Sequence, residues 1–137
     1  MPKLGWITPH PAPEHGRVLV MASRFELTSR RHVPAFLARS LASWKQVKAA
    51  PGAYGAALDA QPLRAVFWTL SAWHDRESLY RYAKTDPHGD AVRAMRPMMW
   101  SFTHVFWETD AGGLPIGWDE AKRRLAVQQG TGETPPH

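Results

Sequence analysis

The sequence predicts an α+β fold of the ferredoxin-like βαββαβ kind, an antiparallel four-stranded sheet carrying two helical layers, with an extra C-terminal helix. Three observations lead there. Strand-like apolar runs occur at residues 17–27, 53–60, 64–73 and 101–108. Between the first and second runs, and again between the third and fourth, apolar residues recur at three and four, which is the helical period. The resulting order of strand, helix, strand, strand, helix, strand is that of the split βαβ arrangement.

Composition bounds the organisation. A chain of 137 residues, 44% hydrophobic and 21% charged, is long enough for one core and too short for two. The expected division is an N-terminal arm over residues 1–16, one domain over 17–127 and a flexible tail over 128–137. No window approaches the roughly 18 apolar residues that cross a bilayer, and no leader pattern opens the chain, so a cytoplasmic protein with no membrane partner is expected. Cysteine is absent, which excludes disulfides, thiolate metal sites and cysteine nucleophiles. Any chemistry falls to His, Asp, Glu, Tyr, Arg or a bound cofactor.

The net charge is +5, with basic residues gathered at Arg30, Arg31, Arg39, Lys45 and Lys48 and at Lys122, Arg123 and Arg124. No helix-turn-helix, zinc-finger or aromatic-basic RNA motif accompanies them, so they read as solvated helix faces rather than a nucleic-acid surface. The seven tryptophans are more telling. Tryptophan contributes most in a core, an interface or an apolar pocket.

In chain order, residues 1–16 hold four prolines and two histidines without periodicity and read as an arm whose Trp6 and Ile7 dock on the body. Arg17–Leu27 is apolar on both faces, the pattern of a strand covered on both sides. Pro34 suits the first turn of a helix, and Val33, Phe36, Leu37, Leu41, Trp44 and Val47 mark its apolar face as far as Ala49. Pro51-Gly52 stops it. Residues 53–60, AYGAALDA, form a weak strand whose small side chains leave room for close approach, a composition that an edge strand explains equally well.

Residues 64–73 are the strongest strand. Val66, Trp68, Leu70 and Ala72 alternate with Phe67, Thr69, Ser71 and Trp73, and the second set places two hydroxyls between two large rings, as a small-molecule pocket would. Asp75 caps a helix with Leu79 and Tyr82 inward, and Asp86-Pro87 opens another. On that second helix His88, Val92, Met95 and Met99 share one face. Pro97 weakens its end, and Trp100 leads into a last strand where Ser101, Thr103, Val105 and Trp107 alternate with Phe102, His104, Phe106 and Glu108. Residues 111–113 turn the chain, and Trp118–Val127 is an amphipathic helix with Trp118, Ala121 and Leu125 on one side. A single sheet of this kind leaves one face bare, and here both faces are aromatic, so a second copy is expected to close the sheets face to face as a homodimer.

The run LSAW, then HDRESLYRYA, then His88 after four further residues, followed by an Arg-containing helix, VFWE at 105–108 and AGGLPIGWDEAKRRL at 111–125, carries a family resemblance. Over about Val18–Leu125 the chain resembles the dimeric α+β barrel superfamily. Within it the sequence most resembles an uncharacterised bacterial group, with weaker similarity to the antibiotic biosynthesis monooxygenases and the spheroidene monooxygenase type. The tail QQGTGETPPH departs from the aromatic end of the closest group.

The resemblance implies a homodimer acting on an apolar, aromatic small molecule with oxygenase-type chemistry, either cofactor-free or haem-dependent. Catalytic candidates are then His88 or Tyr82 for proton transfer and Arg96 for stabilising an oxyanion. The pocket walls would come from Phe67, Ser71, Trp73, Trp100, His104 and Trp107. If haem is bound, His88 is the candidate axial ligand. Otherwise no metal is expected, since the sequence lacks paired-histidine spacing. The alternative is a non-catalytic ligand-binding or stress-related dimeric protein that keeps the pocket without the reaction.

Overall fold

The structure is a computed structural model that describes residues 3–85 and 88–130, with the backbone alone at residues 3, 4, 88–91, 129 and 130. The capping pair Asp86-Pro87 and residues 131–137 of the tail lie outside the described residues, as does the side chain of His88.

Among the described residues there are five strands and four α-helices: β1 (Lys3–Ile7), β2 (Arg17–Leu27), α1 (Val33–Lys48), β3 (Ala53–Gln61), β4 (Val66–Trp73), α2 (Arg76–Lys84), α3 (His88–Met95), β5 (Met99–Asp110) and α4 (Trp118–Gly130). The sheet order is β1-β3-β4-β2-β5, and every pairing is antiparallel. Without β1 this is the α+β ferredoxin-like sheet, with the two crossovers made by α1 and by α2 with α3. The inner strand β2 pairs with β4 on one side and with β5 on the other. Both its faces are covered, which is why Val18, Leu19, Val20 and Ala22 can all be apolar.

Helix signals in the sequence operate as their chemistry requires. Pro34 lies in the first turn of α1, and the Asp75 carboxylate caps α2 by accepting from the Ser78 N–H at 2.8 Å and its hydroxyl at 2.7 Å. Gly52, at φ 80°, makes the turn after α1, and a Cβ there would meet the Ser78 side chain. The last helix runs three residues beyond the expected end at Val127, to Gly130.

The N-terminal segment differs from the expected arm. Lys3–Ile7 pairs with β3 as an added edge strand, so β3 is not the edge of the sheet. Five residues are too few for periodicity to show, and the strand is set by what it docks on. Trp6 lies over Gly55, where any Cβ would collide with the indole. The close approach anticipated for the small residues of β3 is therefore made by the chain's own tryptophan.

The second sheet face is also not bare. Ile116 and, from α4, Ala121 and Leu125 pack on Val20, Ala57, Leu70 and Ala72, with Trp6, Trp107 and Trp118 at the margins. Lys122 of α4 sets its Nζ 2.9 Å from the buried Asp59 carboxylate and 4.1 Å above the Trp68 ring. The C-terminal helix and Trp6 thus cover apolar surface that the sequence reading gave to a second copy.

Candidate functional site

The other sheet face carries α1, α2 and α3, and between them lies a cavity of about 220 Å³. Its floor is Met21, Ser23 and Phe25 from β2, Ala56 and Leu58 from β3, and Thr69, Ser71 and Trp73 from β4. Its walls are Ser40, Ser43, Trp44 and Val47 from α1, Leu79 and Tyr82 from α2, and Val92 and Met95 from α3. Arg39, Arg96, Met99 and Phe102 complete it.

Side-chain size explains the void. The inward face of α1 reads Phe36, Ser40, Ser43, Val47 at steps of four, three and four, so two serines stand where a filled core would carry Leu or Ile. Leu41, expected on the apolar face, is instead 51% exposed. Opposite the serines, β3 contributes Ala56 rather than a large residue.

The Trp73 indole is fully buried and packs at 5.1 Å on the Tyr82 ring. Its Nε1–H donates to the Ser71 hydroxyl at 2.8 Å. Tyr82 in turn donates its hydroxyl to the Ser43 carbonyl at 3.1 Å, linking α2 to α1. Gln46 reinforces the link by donating to the carbonyls of Tyr82 and Thr85. Burial raises the Tyr82 pKa well above its ordinary value, with the bond to Ser43 opposing in part, so the phenol stays protonated. That suits a fixed wall better than a base.

The candidates read from sequence divide clearly. Ser71, Trp73, Tyr82 and Arg96 meet at the cavity. Val92 and Met95 line it too, and the side chain of His88 lies outside the described residues. Phe67 is fully buried beside it, 4.3 Å from Phe36, as core rather than lining. His104 lies on the same sheet face, opposite Ser23 across the β2–β5 ladder and between the rings of Phe102 and Phe106, but does not line the cavity. Trp107 stands three residues further along the strand, so its side chain falls on the opposite face, where Arg124 lies 4.4 Å over its ring. Trp100 is 73% exposed and away from the pocket.

Residues absent from the sequence-based set are Ser23, Arg39, Ser40, Ser43 and Trp44. Polar residues recurring on the inward face of α1 were the available signal. Among the described residues no group of three His, Asp or Glu gathers to hold a metal ion. No helix among them is long and apolar enough to cross a membrane.

Residues 30–137 match a family described as a domain of unknown function, DUF3291. No curated protein matches the sequence. Among solved structures, the chain is similar to a protein of Nitrosomonas europaea assigned to the antibiotic biosynthesis monooxygenases. Its TM-score is 0.62 at 14% identity, covering 73% of this chain and 94% of that one. A Caulobacter crescentus protein of the same assignment gives 0.55 at 22% identity, covering 71% and 91%. SnoaB, a cofactor-independent oxygenase from Streptomyces nogalater, gives 0.53 at 16% identity, covering 72% and 98%. At these identities the likeness is one of fold, the α+β ferredoxin-like fold of antibiotic biosynthesis monooxygenase-like proteins.

Proposed function

We propose, from the premise that this chain belongs to the DUF3291 family and shares the fold of oxygenase neighbours, that it binds a one- or two-ring aromatic molecule in the cavity and oxidises it with O2 without a bound cofactor. The observation that carries the reading is the cavity itself: an apolar space under Trp73 and Tyr82, with hydroxyls on its floor and two arginines on its lining.

Size argues for a small ligand. The cavity falls below the roughly 300–1,000 Å³ typical of pockets for drug-sized molecules. A haem macrocycle does not fit this space.

A cofactor-free oxidation balances for a phenol such as 1-naphthol. The C–H para to the hydroxyl becomes a carbonyl, one oxygen atom of O2 enters the product, and the other leaves as water. The substrate supplies all four electrons, giving 1,4-naphthoquinone. The chain's part is to remove the phenolic proton and to stabilise the resulting anion. His88, one turn before Val92 in α3, is the proposed base. Arg96 is placed to favour the anion. Trp73, Ser71 and Tyr82 hold the ring.

One observation favours the binding-only alternative: among the described lining residues there is no His, Asp or Glu. Oxygen uptake and product formation with 1-naphthol decide between them. Uptake with one naphthoquinone formed per O2, lost in His88→Ala, supports the enzyme. Saturable binding with no uptake above the protein-free rate supports the non-catalytic reading.

The homodimer also stays a proposal. Its support is no longer a bare second face but β5, a twelve-residue edge strand carrying the exposed Trp100.

A further inference from the structure

We infer that Ser23 anchors the ligand of this cavity, presenting its hydroxyl together with that of Ser71 to a hydrogen-bond-accepting oxygen, a ring carbonyl or phenolate, at the ligand's buried end. The inference rests on the pocket reading above and assigns to Ser23 and Ser71 the end of the pocket that receives the ligand's oxygen.

Ser23 sits mid-strand in β2, with a neighbouring strand on each side. Its residue is 0% exposed, and its Oγ is buried with no hydrogen-bond partner among the described residues. A buried hydroxyl without a partner is uncommon, because the lost hydration is not replaced. This one is not lost in the core, since Ser23 lines the cavity. Its neighbours on the same face of β2, Met21 and Phe25, offer it no oxygen or nitrogen from their side chains.

The surrounding hydroxyls give the site its polarity. Thr69 stands directly across the β2–β4 ladder from Ser23 and also lines the cavity. Ser71, two residues on, already accepts the Trp73 N–H at 2.8 Å. A hydroxyl has one proton to give, so Ser71 is left with its O–H directed elsewhere. The floor therefore offers O–H donors, and the lining adds the guanidinium group of Arg96. An oxygen acceptor takes up the free hydroxyl protons, an N–H donor would use only the hydroxyl lone pairs, and a hydrocarbon edge would leave both unpaired. In the ligand-free protein water can occupy the polar end. A ligand oxygen that remakes the water's bonds displaces it without loss, and a hydrocarbon cannot.

The test uses two probes of nearly equal shape, 1-tetralone with a ring carbonyl and tetralin without it. Both are titrated into wild-type protein and Ser23→Ala and followed by tryptophan fluorescence. The wild type should bind 1-tetralone about tenfold more tightly than tetralin, the worth of one hydrogen bond to a buried hydroxyl. In Ser23→Ala the preference should fall severalfold, tetralin affinity should hold, and thermal melting should match wild type because the hydroxyl has no partner among the described residues. Equal binding of the two probes by wild type overturns the inference and leaves the pocket standing. A preference that survives Ser23→Ala moves the anchor away from Ser23 and overturns the assignment, and so does a markedly lower melting temperature in that variant. If neither probe binds, the pocket reading fails and the inference fails with it.

Discussion

Replacing Trp73 separates the packing of the pocket from its chemistry. The indole is fully buried among Leu19, Val47, Ala53 and Leu79 and lies against Tyr82, so Trp73→Ala removes a large side chain at a site closed by two strands and two helices. Losses of this kind cost about 3–5 kcal/mol. The void opens directly into an existing cavity, so little collapse is available to reduce the loss. At about 3–4 °C per kcal/mol for a domain of this size, the melting temperature should drop by roughly 10–20 °C. Trp73→Phe should keep most of the packing and lose only the bond from Nε1 to Ser71, a change of about 1 kcal/mol. Differential scanning calorimetry measures both variants, and 1-tetralone titration of Trp73→Phe at low temperature measures the site. Trp73→Ala melting within 3 °C of wild type would refute the packing argument, and unaltered ligand affinity in both variants would remove Trp73 from the pocket.

Three further outcomes are expected. Lys122→Ala should destabilise by about 1–3 kcal/mol in chemical denaturation, less than for a fully buried ion pair because Lys122 keeps contact with water, and Asp59→Asn in the same chain should recover most of it. Burial raises the folded-state pKa of Tyr82, so its contribution to stability is whole below pH 10 and is lost as pH rises above it; Tyr82→Phe should flatten the alkaline limb of the stability–pH curve, and an unchanged limb would contradict this. Light scattering at micromolar concentration should give a dimer that Trp100→Asp weakens, and a stable wild-type monomer would remove the dimer.

The sheet order, α1 and α2 were legible because their signals are local. Pro34, Asp75 and Gly52 act on their own backbone turns, and the alternation of β4 fixes which residues share a face whatever covers them. Two features were not local. The strand β1 exists because Gly55 leaves a hole that Trp6 fills, and neither residue shows this alone. The covering of the second face brings Ile116, Ala121 and Leu125 onto Val20, Ala57, Leu70 and Ala72, and Lys122 to Asp59, 63 positions away in the chain.

For the site, the hydroxyl-and-ring face of β4 pointed to Ser71 and Trp73. Apolar periodicity then hid the other half, since Ser40 and Ser43 on the inner face of α1 do not score as core. The inclusion of both His104 and Trp107 in one wall neglected the two-residue period of β5, which sends them to opposite faces.

The most direct measurement is a crystal structure of the protein with 1-tetralone. Ring density is expected between Trp73, Tyr82 and Met95, with the carbonyl oxygen within hydrogen-bond distance of Ser23 Oγ. A ligand bound elsewhere, for instance beside Trp107 on the α4 face, with the cavity holding only water, would contradict it.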